Sequence, residues 1–485
     1  MRRFNKLLFA SMLALLLIAT LSTAAFAGSI TPAEVVEDLA PGESMTVKKT
    51  VTTPEIPPKP DVYFLADTTA SMGSVIATVK DSADAILDEI SLQQPDAQFG
   101  VGNYKDFPYD SYAYQNQLSM TPDATAASTA INAWSAEGGY DGPEGQFYAL
   151  TQIATDPGIG WRTDSTRIVV WFGDAPAHDP IPIAATGLGY DITEATVIEA
   201  LTAAGIQVIA ISTSTGYLDS LDDNPLLYGG DYTSTYGIVE GGTPGQATRI
   251  TDATGGVHLT GVNPDEIAEA ILDGLSNLPI TVIPTIPAPN ADLVIAFDPA
   301  FVTVISGEDA VFEETITATL AAPQCHILEV IVVFVDDNGN SLGKQLVSIH
   351  VKDVTAPKVW CEEAVNPHGE NIPGEKRSNN AKTKAKNQDG FYQLFAEDNC
   401  YLEPEIYVGT TDQPMLLGSF KSGVVIKFTE APGADPSCKK IGSSNGQAGA
   451  VAWHITLPCD PVVTAVDASG NISTCAGCLV PPSPK

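Results

Sequence analysis

Five oxygen-bearing side chains stand where strands should end. Asp67-Thr-Thr69-Ala-Ser71 closes the apolar run Val62-Tyr-Phe-Leu-Ala66 and opens a segment with helical spacing. Asp174 closes another run in Trp171-Phe-Gly-Asp174, and Glu144 stands in Asp141-Gly-Pro-Glu144-Gly ahead of a helical pattern. In an open α/β sheet, ligands bind beyond the carboxyl ends of the strands. Asp67, Thr69, Ser71, Glu144 and Asp174 are therefore expected on one rim. Carboxylates and hydroxyls without sulfur or imidazole suit a hard cation, and Mg2+ takes about six oxygens while keeping some waters. Three carboxylates and two hydroxyls cannot all bind directly and leave a vacancy, so some act through water. The vacancy is where an acidic ligand group attaches. Taken alone, Asp-x-Thr-x-Ser reads more readily as a helix start, because Asp, Thr and Ser all favour N-caps. Its conjunction with Asp174 and Glu144 favours metal.

The elements that must hold these residues follow from periodicity. Short apolar runs at Val62–Ala66, Phe99–Val101, Ile168–Phe172 and Ile206–Ile211 have the texture of buried parallel strands. Val75, Ile76, Val79, Ala83, Ile86, Leu87 and Ile90 recur at helical spacing, and further helical patterns lie at Glu144–Ile153, Ile192–Ala204 and Pro264–Leu275. This alternation predicts a doubly wound, mostly parallel α/β sheet over residues 61–280. After Pro279 the pattern turns to β. Leu293–Ile305, Ala310–Leu320, Ile327–Val335 and Ser341–His350, with a turn at Asp336–Asn340, predict a β-sandwich over 281–353. The alternating strand Met45–Val51 has no partner before residue 61. Residues 28–60 are therefore expected to complete that sandwich, with the α/β unit inserted into it or flanked by it.

The chain has 485 residues, 24 Lys+Arg against 59 Asp+Glu, and a net charge of −35. A polyanion of this kind is repelled by nucleic acid and by anionic bilayers, so neither is expected as the main partner. Residues 1–27 combine Arg2, Arg3 and Lys6, an apolar run from Leu7 to Leu21, and Ala25-Phe-Ala27. That is the layout of a secretory signal peptide. An uncleaved anchor is the alternative, although the run is short for the roughly 20 residues of a span. No later stretch approaches that length, so a secreted or surface protein with no span after cleavage is expected. All seven cysteines lie in the last third, six of them within residues 354–485, which predicts a disulfide-stapled β module there. Cys475-x-x-Cys478 has no second pair to complete a zinc site, and a structural disulfide role is the favoured reading.

Residues 61 to about 278 resemble a von Willebrand factor A domain, and within that class the inserted, I-like domain of integrin β subunits. The resemblance rests on Asp61–Met72, on Phe99-Gly-Val-Gly-Asn-Tyr-Lys-Asp-Phe-Pro108, on Asp141-Gly-Pro-Glu-Gly-Gln-Phe147 and on Ile168–Ala175, in that order. It implies a metal-ion-dependent adhesion site holding Mg2+ or Mn2+. There Thr69 and Ser71 supply hydroxyls, Glu144 a direct carboxylate, and Asp67 and Asp174 mainly outer-shell carboxylates. It also implies a flanking Ca2+ site at Asp106, Asp141, Glu144 and the Pro143 carbonyl, although Gly139 stands where an Asn is expected. Gly73-Ser74 replace the acidic residues of a third site, which is expected to be absent. The family inserts this domain into a β-sandwich, and its mechanism implies that the final helix, Pro264–Leu275, shifts on ligand binding. Residues 354–485 resemble hyalin-repeat, immunoglobulin-like modules through Val354-Thr-Ala-Pro357, Asp398-Asn-Cys400 and Val466–Asn471. Lys376–Lys386 reads as a basic loop, and Asn471-Ile-Ser473 fits a glycosylation acceptor.

The expected function is metal-dependent capture of an Asp or Glu carboxylate on an extracellular protein, without catalysis. Tyr109, Tyr112 and Tyr114 after Asp106, and the long segment Thr213–Thr248, are candidates for the ligand rim. Two other readings stand beside this one. The cation could serve only to stabilise a structural surface protein, or the chain could be a secreted hydrolase. Against the hydrolase, His178 is the only histidine near the rim, and Ser71 is already assigned to the metal.

Overall fold

The computed structural model describes residues 29–480 except 109, 216–219, 228–230, 238–240, 365–389, 401–402 and 442–451. Residues 1–27, expected to be a signal peptide, Tyr109, and Lys376–Lys386, expected to be a basic loop, lie outside the described residues.

Six strands form the central sheet: β1 (Pro60–Asp67), β2 (Gln98–Tyr104), β3 (Tyr114–Thr121), β4 (Thr166–Gly173), β5 (Ile206–Thr213) and β6 (Val257–Val262). Their spatial order is 3-2-1-4-5-6, and every neighbouring pair is parallel except β2 with β3, which is antiparallel. This is the doubly wound order, whose direction of winding reverses between β1 and β4. All eight residues of β1 are buried because helices cover both faces. Val62, Phe64 and Ala66 pack against the helices Gly73–Gln93 and Ile267–Leu275. Tyr63 and Leu65 point to the other face, into the core shared with Gln146–Thr155, Glu194–Ala203 and Gln246–Thr254. The seven apolar positions spaced helically between Val75 and Ile90 are the seven residues that Gly73–Gln93 buries. Each Val, Ile or Leu among them contributes about 1.5–3 kcal/mol by leaving water, and Ala83 less.

Several boundaries differ from the periodic reading, for local reasons. The helix after Asp141–Glu144 starts at Gln146, because Glu144 is held in a single parallel bridge with Ala177 and Gly145 N donates to Lys105 O. The last helix starts at Ile267, not Pro264. Leu293–Ile305 is two strands, Leu293–Asp298 and Val302–Ile305, which lie in different sheets. Pro299 between them cannot donate to a ladder, so the run breaks there. Tyr114 belongs to strand β3.

The segments on either side of the α/β unit share one sandwich. Ser44–Thr52 pairs antiparallel with Asp309–Ala318 along its length, from Thr52 opposite Asp309 to Ser44 opposite Thr317. Pro279–Thr285 enters the other sheet, beside Ile327–Val335. Both leads into the α/β unit are held by the turn at 305–308. Thr53 N donates to Glu308 O (3.0 Å), Gly307 N to Pro54 O (2.9 Å) and Ser306 N to Leu278 O (2.9 Å).

A second β module follows from Lys358, with sheets of five and four strands around Leu394, Ile406, Ile426, Phe428 and Val463. Cys361 and Cys478 are bonded within it, and Cys325 and Cys400 join it to the preceding sandwich. Cys478 therefore pairs with Cys361 and not with Cys475, and the thiols of Cys438, Cys459 and Cys475 carry no disulfide. Among the described residues, no helix is long and apolar enough to cross a membrane.

Candidate metal centre at the strand ends

β1 and β4 lie side by side where the winding reverses, so the loops leaving their carboxyl ends diverge and open a crevice. Asp67 ends β1, and Asp174 directly follows β4. Asp67 Oδ1 accepts from Thr69 N (2.8 Å) and Thr69 Oγ1 (2.7 Å). Thr69 Oγ1 lies 3.4 Å from Ser71 Oγ, and Ser71 Oγ donates to Asp174 Oδ1 (3.2 Å). Thr215 Oγ1 donates to Asp174 Oδ2. Glu144 arrives from a separate segment, fixed through its backbone. Its N donates to Pro176 O (2.9 Å), and its O accepts from His178 N (3.1 Å). Thr69, Ser71 and Glu144 line one cleft of about 330 Å3 with Gly139 and Tyr140.

Asp67 and Asp174 stand behind this cleft rather than in its lining, and the charge there is unbalanced. Asp67, Thr69, Glu144 and Asp174 are all buried, and Asp67 Oδ2 and Glu144 Oε2 have no hydrogen-bond partner. Among the described residues, neither Asp67 nor Glu144 has an ion-pair partner. Burial, then the neighbouring Asp174, pushes the Asp67 carboxyl up to about 8. Burial, then Asp67, Asp106 and Asp174, holds Glu144 well above the usual carboxylate range. Ionised carboxylates this deep are expensive without a counter-ion. A donor set of oxygens only, with two bare buried carboxylate oxygens, fits a hard divalent cation. The three carboxylates are not a set whose oxygens all lie within 4.8 Å of one another. The two hydroxyls are what join them, so carboxylates reaching the ion through water agree with the spacing.

Lys105 contributes differently. Its buried ammonium donates to Thr68 O (2.6 Å), Ser135 O and Glu137 O, which pins the 135–139 loop against the end of β1. Gly139 in that loop has φ +70°, and a β-carbon on it would lie 2.7 Å from Thr69 Cβ. A side chain there would displace Thr69, which accounts for glycine at this position.

The residues assigned to a flanking site are partly assembled. Asp106, Asp141 and His178 place one ligand atom each within 4.8 Å of one another. Pro143 is buried next to Glu144, and Gly139 offers no side-chain oxygen. Of the rim tyrosines, Tyr112 sits under the Lys105 ammonium at 5.9 Å. The Tyr114 hydroxyl bonds the Tyr63 hydroxyl (2.7 Å) in the sheet, away from the cleft. Among the described residues, Tyr140, 63 % exposed, is a tyrosine that lines the cleft. The run Gly138-Gly-Tyr-Asp141 was the signal for it, a loop with one large side chain. A further string, Ser212 Oγ to His258 Nε2 (2.8 Å) and His258 Nδ1 to Asp222 Oδ2 (3.4 Å), also escaped the sequence reading. Ser212 is wholly buried and its hydroxyl accepts from Leu221 N (3.0 Å), so the string clasps the loop after β5.

The strand order and the carboxylate–hydroxyl crevice at the reversal define a doubly wound, mostly parallel α/β unit with oxygen donors at its switch point. The family model "Integrin beta chain VWA domain" matches residues 108–184, which contain Asp141, Glu144 and Asp174. Integrin beta-6 of Mus musculus is 27% identical over 173 residues, covering 31% of this chain and 22% of that protein. Integrin beta-1-A of Xenopus laevis is 29% identical over 170 residues, covering 30% and 21%. The chain thus spans about a fifth of the length of the curated relatives it matches. The solved von Willebrand factor type A protein from Catenulispora acidiphila aligns over 67% of this chain and 74% of its own, at 13% identity and a TM-score of 0.33.

Proposed function

We propose that this chain is an extracellular adhesion protein that captures an Asp or Glu carboxylate of a protein partner through a divalent cation at the β1–β4 crevice. The observation that carries the reading is the pair of bare, buried oxygens, Asp67 Oδ2 and Glu144 Oε2, beside an open cleft. In this reading Thr69 and Ser71 donate hydroxyl oxygens to Mg2+ or Mn2+, and Glu144 a carboxylate oxygen. Asp67 and Asp174 orient those hydroxyls through the bonds already described and neutralise the ion's charge. The ion, when bound, supplies a Lewis-acidic position facing the cleft. Tyr140 stands at the mouth to contact the arriving ligand.

The setting agrees with a surface role. Two disulfides staple the region after Ala322, and disulfides persist in oxidising compartments. Residues 1–27 serve as the export signal, and the C-terminal module, hyalin-repeat-like, acts as an adhesive or spacer unit. Binding is favoured over hydrolysis because Ser212, the serine that faces a histidine, is buried and engaged by Leu221 N.

The test is capture of partners from the native surface by the full chain, with Mg2+, with EDTA and with Ser71→Ala. Adhesion requires capture with Mg2+ and loss in both other arms, with the melting temperature of Ser71→Ala within a few degrees of wild type. A purely structural cation would instead show as a large fall in melting temperature with no partner retained. Undiminished capture in EDTA would refute the reading.

A further inference from the structure

The flanking cluster differs in kind from an oxygen cage. Asp106 is 2% exposed and His178 is wholly buried. His178 Nε2 lies 2.9 Å from Asp106 Oδ1 and 3.6 Å from Asp141 Oδ1. Asp106 Oδ1 also accepts from Phe107 N (2.6 Å), whereas Asp106 Oδ2 is buried with no hydrogen-bond partner. Leaving such an oxygen bare costs about 1–3 kcal/mol, more when it is charged. Two carboxylates, one with a bare oxygen, therefore meet an imidazole nitrogen.

Ca2+ fits this set poorly. It takes six to eight oxygen ligands. Gly139 supplies no side-chain oxygen, and the steric approach of Thr69 keeps any larger residue out of its place. A nitrogen is what stands beside the two aspartates. Imidazole with carboxylate suits borderline dications such as Zn2+. In a tetrahedral Zn2+ site with bonds near 2.0 Å, neighbouring ligand atoms lie about 3.3 Å apart. The two spacings from His178 Nε2 bracket that value.

The imidazole is also held in place. Its ring stacks on Tyr232 with centroids 3.7 Å apart and planes 13° from parallel, and Tyr232 OH donates to Pro180 O (2.8 Å). His178 N donates to Glu144 O, so the backbone that carries the nitrogen is tied to the backbone of the first centre. Ligands locked by packing and hydrogen bonds need little reorganisation to bind.

We propose that the flanking cluster, because His178 stands beside Asp106 and Asp141, does not suit the Ca2+ that the family resemblance implies there and is selective for a borderline transition-metal dication of the Zn2+ type. Its donors and its ion differ from those of the first centre, although Asp141 lines the same cleft.

The test uses the full chain, stripped of metal and then titrated with Co2+ as a spectroscopic probe in excess Mg2+ and Ca2+. One Co2+ per chain is expected, with the visible absorption of a nitrogen-ligated ion, displaced by Zn2+. His178→Gln and Asp106→Asn should each weaken it by about 10- to 100-fold or more. Ser71→Ala, which removes a donor of the first centre, should leave it in place. In wild-type protein, where folding of a variant is not at issue, nitrogen NMR should show one histidine Nε2 shifting on Zn2+ addition. The proposal is overturned if excess Ca2+ prevents Co2+ uptake, if no histidine nitrogen shifts, or if uptake is lost in Ser71→Ala and unaffected by His178→Gln.

Discussion

Ser71 Oγ donates to Asp174 Oδ1 across 3.2 Å, joining two loops 103 residues apart at the point where the sheet reverses its winding. The bond aims a hydroxyl lone pair into the cleft and leaves the carboxylate behind it. Replacing Asp174 with Asn keeps the shape and removes the charge. Cation affinity, followed by calorimetry with Mn2+, should fall at least tenfold, with the fold retained by circular dichroism.

Without metal, the crowded carboxylates oppose folding. Asp67→Asn removes one of them and should stabilise the stripped chain by about 0.5–2 kcal/mol in urea unfolding while abolishing cation binding. A loss of stability on this change would mean that the bonds from Thr69 outweigh the repulsion from Asp174.

The pH dependence has a definite sign. Asp67 titrates at about 8 when folded, against about 3.9 in an unfolded chain. Between those values the folded form holds a proton that the unfolded form has released. Stability of the metal-free chain therefore falls as pH rises from about 4 to about 8, and levels off above. Asp106, raised to about 7 chiefly by burial, adds to the same trend. Metal uptake displaces these protons, so affinity should rise through the same window. Calorimetry in buffers of different ionisation heat counts the protons released.

Lys105 is predicted to hold the cleft's outer wall. Lys105→Met leaves the carbonyls of Thr68, Ser135 and Glu137 without their ammonium donor, at about 1–3 kcal/mol for a buried orphan. Hydrogen exchange across 135–139 should quicken markedly and cation affinity should drop, with exchange in β5 unchanged.

Gly139→Asn tests the steric argument. Asn tolerates positive φ, so the backbone accepts it, but its β-carbon meets Thr69. Cation affinity at the first centre should fall about tenfold, with destabilisation of about 1–3 kcal/mol as for overpacking. Unchanged affinity would show that Thr69 can give way freely.

Much of the architecture was legible because its determinants are local. The helix Gly73–Gln93 buries the seven residues its spacing marks, and β1 is the uninterrupted apolar run that a central parallel strand requires. Asp67 and Asp174 stand at strand ends in the sequence itself. What periodicity could not reveal depends on distant segments meeting. Nothing near residue 105 says that its ammonium will reach the carbonyl of Glu137, or that His178 will face Asp106. Tyr114 looked like a rim residue because it follows a loop, yet pairing with β2 turns its hydroxyl to Tyr63. The break at Pro299 was visible as a residue type, but only the two-sheet arrangement shows that the chain changes layer there.

The turn at 305–308 grips the chain on both sides of the α/β unit, at Thr53 and Pro54 on entry and at Leu278 on exit. Tension applied at the far rim would therefore run down two covalent cords. One continues into Ser44–Thr52 and the other into Pro279–Thr285, in opposite layers of the sandwich. Pulling loads those layers together and cannot unzip either strand without first opening the knuckle that binds both cords.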